Sequence, residues 1–348
     1  MPEVNQKKRP MGLKARAAKK QKTEEVSANG AQVVNDFDDE KTATIMLKNE
    51  GAGETNELDE LEGIFDGALE AIEDPERAVV LLRGTIHECD RMLRVHDEES
   101  TDETPDLDPK FYYIYGSALF SISELAEPED KRQFLELAKL RLEQVEVKGD
   151  EEFAWRVYSG LAKVALELSA SDEEEEPKVD GALENFAKAL ELAGEEIKEQ
   201  ESLATVDLVL SLADSHRLSN EDSLKLIQWG ETTLKGLPQD AAAVKQGQAR
   251  VNWLRASELL EQQDEETGEV PEREAAVVLL TKAQNLLEGA EGDALLLLGE
   301  VQLNLGNVME EEEAQEEMYK KAVETFKKAQ QNGDLPEQFA QFIEDFEE

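Results

Sequence analysis

The sequence predicts an all-α body behind an unfolded basic tail, on three observations. From Glu57 onward apolar residues recur at helical spacing. Leu82, Ile86, Cys89 and Leu93 step by four, three and four along one stripe. Alternation of β-branched with polar residues is nearly absent, and the body's Asn-Gly pair, Asn332-Gly333, lies close to its end. Prolines fall between the periodic segments, at Pro75, Pro105, Pro109, Pro128, Pro177, Pro238, Pro271 and Pro336. About a dozen helices are expected, with starts at Asp150, Ser202, Asn220 and Asp293, whose side chains can accept from the amides that follow.

The tail comes first in the chain. Of 348 residues, 81 are acidic and 37 basic, a formal net charge of −44, yet residues 1–22 hold eight cations against the single carboxylate Glu3. From there to about Asn56 the chain is rich in Asn, Gly, Asp, Glu, Ala and Thr. So little apolar surface cannot offset the entropy of ordering, and residues 1–55 are expected to be mostly disordered, with an all-helical repeat domain at 56–348. A short apolar patch, Ala43 to Leu47, is the exception and could dock on the body or on a partner. Lys7 and Lys8, adjoined by Arg9, are separated by residues 9–18 from Lys19, Lys20 and Lys22. Two cationic clusters on an extended spacer resemble a bipartite nuclear-import signal, which must lay its side chains into two acidic grooves of an import receptor. Nuclear localisation is the expectation.

Composition narrows the function. The carboxylate excess opposes contact with a phosphate backbone, so direct DNA binding is not expected. One cysteine, Cys89, excludes a disulfide framework and a multi-cysteine zinc site, and three histidines leave little for a metal centre. No apolar run reaches the ~18 residues of a membrane span. The basic N-terminus lacks the apolar core of a secretory signal. The expectation is a soluble, intracellular, non-enzymatic protein without catalytic, cofactor or metal residues.

The second helical segment carries the densest polar cluster, His87-Glu88-Cys89-Asp90-Arg91. Helical spacing puts His87 near Asp90 and Arg91, and Asp90 near Arg94. The cluster lacks the second histidine of a zinc-protease helix, and Cys89 falls on the apolar stripe, two residues and so about 200° round the helix from His87. It reads as surface ion pairs beside a buried cysteine. The third segment, opening Phe111-Tyr112-Tyr113-Ile114-Tyr115, has aromatics on every side, which suits a helix buried between neighbours. Trp155, Trp229 and Trp253 read as core.

A repeat emerges when the later segments are aligned. Ala182, Phe186 and Ala189 follow a small-large-small pattern, as do Ala276, Leu280 and Ala283, and Ala322, Phe326 and Ala329. Ser223, Ile227 and Gly230 follow it more loosely, and Ala138, Leu142 and Val145 miss only the last place. Gly116, Gly160 and Gly299 precede three of these motifs by 22 or 23 residues. Small residues let two helix axes approach while the large one fills the groove beside them. This resembles the tetratricopeptide pattern stretched beyond its usual ~34 residues, and predicts a tetratricopeptide/HEAT-like superhelix with an extended concave surface. The extra length lies in acidic stretches, Ser171 to Asp180, Asp264 to Pro271 and Glu310 to Glu317. They read as solvated faces. A second reading makes the protein an acidic chaperone for basic ribosomal proteins or histones.

Two short motifs then suggest a family. Lys8-Arg9-Pro10-Met11-Gly12-Leu13 with Ala17-Ala18-Lys19-Lys20-Gln21-Lys22, and Gly84-Thr85-Ile86-His87-Glu88-Cys89-Asp90-Arg91-Met92-Leu93-Arg94, look like the fungal enhancer of translation termination family. Leu303-Asn304-Leu305-Gly306-Asn307 and the acidic helix after it are also similar. The resemblance implies a nuclear, non-enzymatic adaptor linked to correct translation termination and hypoxic gene regulation. Its implied partners are translation-associated factors and a 2-oxoglutarate- and iron-dependent prolyl hydroxylase that modifies a ribosomal protein. No partner-binding residue is carried over.

Overall fold

A computed structural model describes residues 56–99, 106–146, 151–171, 179–262 and 271–347, together with the backbone of three short strands further upstream. The chain divides into two compact units, Met1–Asp97 and Glu98–Glu348, so the division falls well beyond the composition change near residue 55.

In the first unit, β1 (Val26–Ala28), β2 (Ala31–Val34) and β3 (Thr44–Leu47) form a small antiparallel sheet in the order β1-β2-β3. The apolar patch of the tail thus contributes its last four residues to a strand. Two helices follow, α1 (Glu57–Glu70) and α2 (Pro75–Glu99). Asn56 caps α1, its side chain accepting from the Leu58 amide at 3.3 Å. Pro75 opens α2, where its missing N–H costs nothing. Leu82 and Cys89 of the predicted stripe are fully buried.

The second unit is a series of helix pairs: α3 (Pro109–Leu125) with α4 (Pro128–Glu143), α5 (Glu151–Ser171) with α6 (Val179–Leu192), α7 (Glu195–Asp214) with α8 (Asn220–Lys235), α9 (Ala242–Glu261) with α10 (Arg273–Leu286), and α11 (Ala294–Val308) with α12 (Glu312–Gln330). A last helix, α13 (Glu337–Glu347), packs on α12. The all-α repeat class is therefore the observed one, with thirteen helices among the described residues.

The aligned motifs sit on the second helix of each pair, where the pattern needs them. Ala138, Ala182, Ala276 and Ala322 are fully buried, and so are Phe186, Leu280 and Phe326. The glycines meet these large residues closely. A Cβ at Gly116 would stand 2.7 Å from Leu142, and one at Gly299 would overlap the ring of Phe326. Gly160 departs from the expected pairing: its near neighbour is Leu142 of the preceding pair, at 3.2 Å, and not Phe186. The reason is that α5 packs on α4 as well as on α6, so a large residue on a second helix lies between two first helices. Leu234 on α8 shows the same geometry, meeting Gly247 of α9.

The expected starts are partly displaced. Asp293 precedes α11 without a side-chain cap bond. Ser219, not Asn220, caps α8, accepting from the Asp222 amide at 3.2 Å. Ser202 lies inside α7 and is buried, because α7 begins a turn and more earlier, after Gly194. Between α10 and α11 the chain turns through left-handed Gly289 and Gly292, conformations that side chains disfavour. The acidic stretch from Glu310 runs into the first turns of α12, whereas 172–178 and 263–270 lie outside the described residues.

Buried side chains gather into clusters along the series. One spans Ala162 to Leu254, the next Ala249 to Val308, and a third joins α12 to α13 through Phe326, Phe339 and Ile343. Trp253 packs against both of the first two.

Candidate partner-binding face

The first helices of successive pairs lie side by side, α3 by α5, α7 by α9 and α9 by α11. Ser159 on α5 donates to Glu201 on α7 at 2.9 Å, joining the series in the middle. Polar side chains bridge these helices at several points. Arg250 on α9 reaches two carboxylates of α7, Asp207 at 2.8 Å and Asp214 at 3.8 Å. Glu300 on α11 completes the group. Burial, followed by the like charge of Asp214 and against the pull of Arg250, raises its carboxyl to about 7. A second cluster lies nearer the N-terminal end. Glu167 on α5 receives Lys131 at 2.7 Å and Arg217 at 3.2 Å. Burial opposes its charge, but the two cations outweigh that and hold it below the ordinary carboxylate range.

A cavity of about 240 Å³ opens where the end of α7, the start of α8 and the second half of α9 meet. Leu218, Ile227, Trp253 and Leu254 form its apolar wall, with Asp214, Glu258 and Glu261 as its acidic groups. His216 sits in the turn after α7 with φ of 53°, a left-handed conformation that histidine, like asparagine and aspartate, adopts more readily than most residues. Its imidazole lies 3.9 Å from Glu261. Glu258 is pushed above the ordinary range by burial and then by the charge of Glu261.

The residues singled out in the sequence fall elsewhere. Lys7, Lys8, Arg9, Lys19, Lys20 and Lys22 lie outside the described residues. His87 and Asp90 are exposed on α2 and Cys89 is buried, so the cluster is a surface group beside a buried thiol. Arg94 meets Asp90 as the spacing suggested, while Arg91 turns to two glutamates. Arg91 binds Glu88 at 2.6 Å and Glu57 of α1 at 3.2 Å, and Arg94 donates to the Asp90 carbonyl. The helix-to-helix pair with Glu57 required knowing the α1–α2 fold, which local spacing does not supply. Of the aromatic opening of α3, Phe111 and Tyr115 are almost wholly enclosed, while Tyr112 and Tyr113 are half-buried. Of the cavity residues, Ser223 and Ile227 belong to the repeat motif of α8, while the acidic groups Asp214, Glu258 and Glu261 belong to no motif.

Among the described residues no group of three or more His, Cys, Asp or Glu is placed to hold a metal ion, and no helix is long and apolar enough to cross a membrane. The fold, with its first helices bridged side by side, defines a helical-repeat protein, a class that presents extended surfaces to other macromolecules. Comparison with known proteins makes this specific. Residues 6–215 match the family described as nuclear pore complex subunit Nro1, and residues 277–346 match the C-terminal region of negative regulator of ofd1. The chain belongs to the Nro1 family, and membership places it in the nucleus.

Curated relatives agree. Enhancer of translation termination 1 of Meyerozyma guilliermondii is 38% identical over 141 residues, covering 39% of this chain and 30% of that protein. Negative regulator of ofd1 of Schizosaccharomyces pombe is 32% identical over 144 residues, covering 36% and 34%. The matched segments thus span about a third of the length of these relatives. A solved structure of the hypoxic regulator of sterol synthesis Nro1, described as a nuclear import adaptor, is 20% identical with a TM-score of 0.51. It covers 83% of this chain and 93% of that one, a likeness of fold.

Proposed function

We propose that this protein is a non-enzymatic nuclear adaptor that binds and regulates a 2-oxoglutarate- and iron-dependent prolyl hydroxylase of a ribosomal protein, in support of correct translation termination. The observation that carries the reading is the row of adjacent first helices, whose side chains bridge α5 to α7 and α7 to α9 and present charge and a cavity outward. Relatives named for enhancing translation termination and for negatively regulating ofd1 support the same reading. The tetratricopeptide-like spacing of the second-helix motifs fits it too, since such arrays bind extended ligands along one face. Chemistry would then reside in the hydroxylase.

Affinity capture with the full chain at low and moderate ionic strength tests the reading. A hydroxylase retained at both strengths is the expected result. Capture only of basic ribosomal proteins or histones, lost on raising the salt, would favour the acidic-chaperone reading instead. The import function is assigned to Lys7, Lys8, Arg9, Lys19, Lys20 and Lys22. Replacing Lys19, Lys20 and Lys22 with Ala should leave a fluorescent fusion in the cytoplasm, and unchanged nuclear accumulation would remove that assignment.

A further inference from the structure

The cavity between α7, α8 and α9 has a composition that no structural role in the repeat requires. Among the described residues three carboxylates line it, and the one side chain in that lining able to carry positive charge is His216. The neighbouring cations are shared with carboxylates outside the cavity: Arg250 bridges Asp207 at 2.8 Å and Asp214 at 3.8 Å, and Arg255 binds Glu231. Asp214 and Glu258 are both held above their ordinary range by burial, incompletely relieved by Arg250 and His216 in the first case and by Arg255 in the second. Ionised carboxylates partly withdrawn from water are stabilised by a cation that water does not supply in that position. Beside them stands an apolar wall that includes a tryptophan, a surface for the methylene stem of a long basic side chain and for its charged head.

The size of the cavity narrows the occupant. The volume, about 240 Å³, is below the roughly 300–1,000 Å³ of sites for drug-sized ligands and cofactors. It suits one residue.

We propose that this cavity is a docking site for a lysine or arginine side chain on a basic segment of a partner protein, with the stem against Trp253 and the head among Asp214, Glu258 and Glu261. The assignment rests on the adaptor reading and supplies the chemistry of what is gripped.

Calorimetric titration of the full chain at about 0.15 M salt, with a peptide of alternating arginine and glycine and with its citrulline counterpart, tests it. The arginine peptide should bind, and the citrulline peptide should bind roughly tenfold more weakly or not at all. Asp214→Asn with Glu258→Gln should weaken the arginine peptide roughly tenfold. Glu311→Gln with Glu312→Gln, which removes as much charge from the exposed start of α12, should change it less than about twofold. Should the double variant lose its helical circular dichroism, Glu258→Gln alone carries the comparison. Equal weakening by the two pairs would reduce the effect to bulk charge and overturn the site, as would equal binding of the citrulline peptide. Neutralising Lys7, Lys8, Arg9, Lys19, Lys20 and Lys22 with Gln should leave the affinity unchanged; a roughly tenfold gain would make the chain's own tail the occupant and overturn the assignment to a partner. Loss of peptide binding in the double variant with hydroxylase capture retained separates this site from the adaptor reading itself.

Discussion

At Gly299 the absence of one methyl group decides how α11 and α12 meet. A Cβ there would overlap Phe326, which is fully buried and stacked on Phe339 with ring centroids 4.5 Å apart. The ring has no room to withdraw. Gly299→Ala should therefore destabilise by about 1–3 kcal/mol, overpacking outweighing alanine's better helix propensity. Gly181 on α6 is the control. It is exposed, and nothing lies within 4 Å of a Cβ there, so Gly181→Ala should stabilise by about 0.5–1 kcal/mol. Urea unfolding of the two variants checks the pair. If both move stability the same way, the close approach is not what sets the helix contact. Gly299 was legible in the sequence because its distance from the Ala322 motif matched the other pairs. The true partner of Gly160 was not, since one sequence spacing serves two packing directions. Gly306 was missed as a contact although it lies in a motif noted for other reasons. A Cβ there would overlap Tyr319, whose hydroxyl donates to Asn307 at 2.9 Å.

Helices could be placed from periodicity and proline because both are local signals. What they build together could not. Whether α7 starts at Glu195 or Ser202 depends on burial of Ser202 against its neighbours, and tertiary packing overrides its value as a cap. The candidate site is a product of this level. Asp214, Arg250 and Glu300 come from α7, α9 and α11, dozens of residues apart, and only the side-by-side packing of those helices joins them. That junction predicts a pH effect. The Glu300 carboxyl titrates near 7 in the fold, against the ordinary value of 4.5. Between these values the native state keeps a proton that the unfolded chain has released, so stability falls as pH rises through that window and levels off above it. The loss is at most about 3 kcal/mol, and less where solvent screens the junction. Glu300→Gln should remove this part of the slope and leave the variant more stable than the parent at pH 8. Unfolding free energies of both proteins at pH 5 and pH 8 measure it; parallel changes would show that Glu300 titrates as an ordinary surface carboxylate.

Charge is a property of the whole molecule. The chain carries −44 formally, and eight of its 37 cations lie in the first 22 residues, which leaves the helical body more acidic still. Most ion pairs of that body are exposed, as in Lys320 with Glu316 and Lys321 with Glu317. Such pairs contribute about 0–1 kcal/mol each, and salt weakens them. Repulsion among the remaining carboxylates acts over a longer range and favours the expanded, unfolded chain. At about 0.01 M ionic strength the screening length is roughly 30 Å, so like charges across neighbouring helices still repel; at 0.15 M it is roughly 8 Å. The two effects oppose one another, and the excess of acid decides the sign. Adding sodium chloride from about 0.01 to 0.2 M should raise the thermal midpoint by several degrees. Scanning calorimetry across that range is the check. A midpoint that falls with salt would mean that the pairs between helices, Arg250 with Asp207 and Lys131 with Glu167 among them, hold the array against its own charge more strongly than exposed pairs elsewhere do.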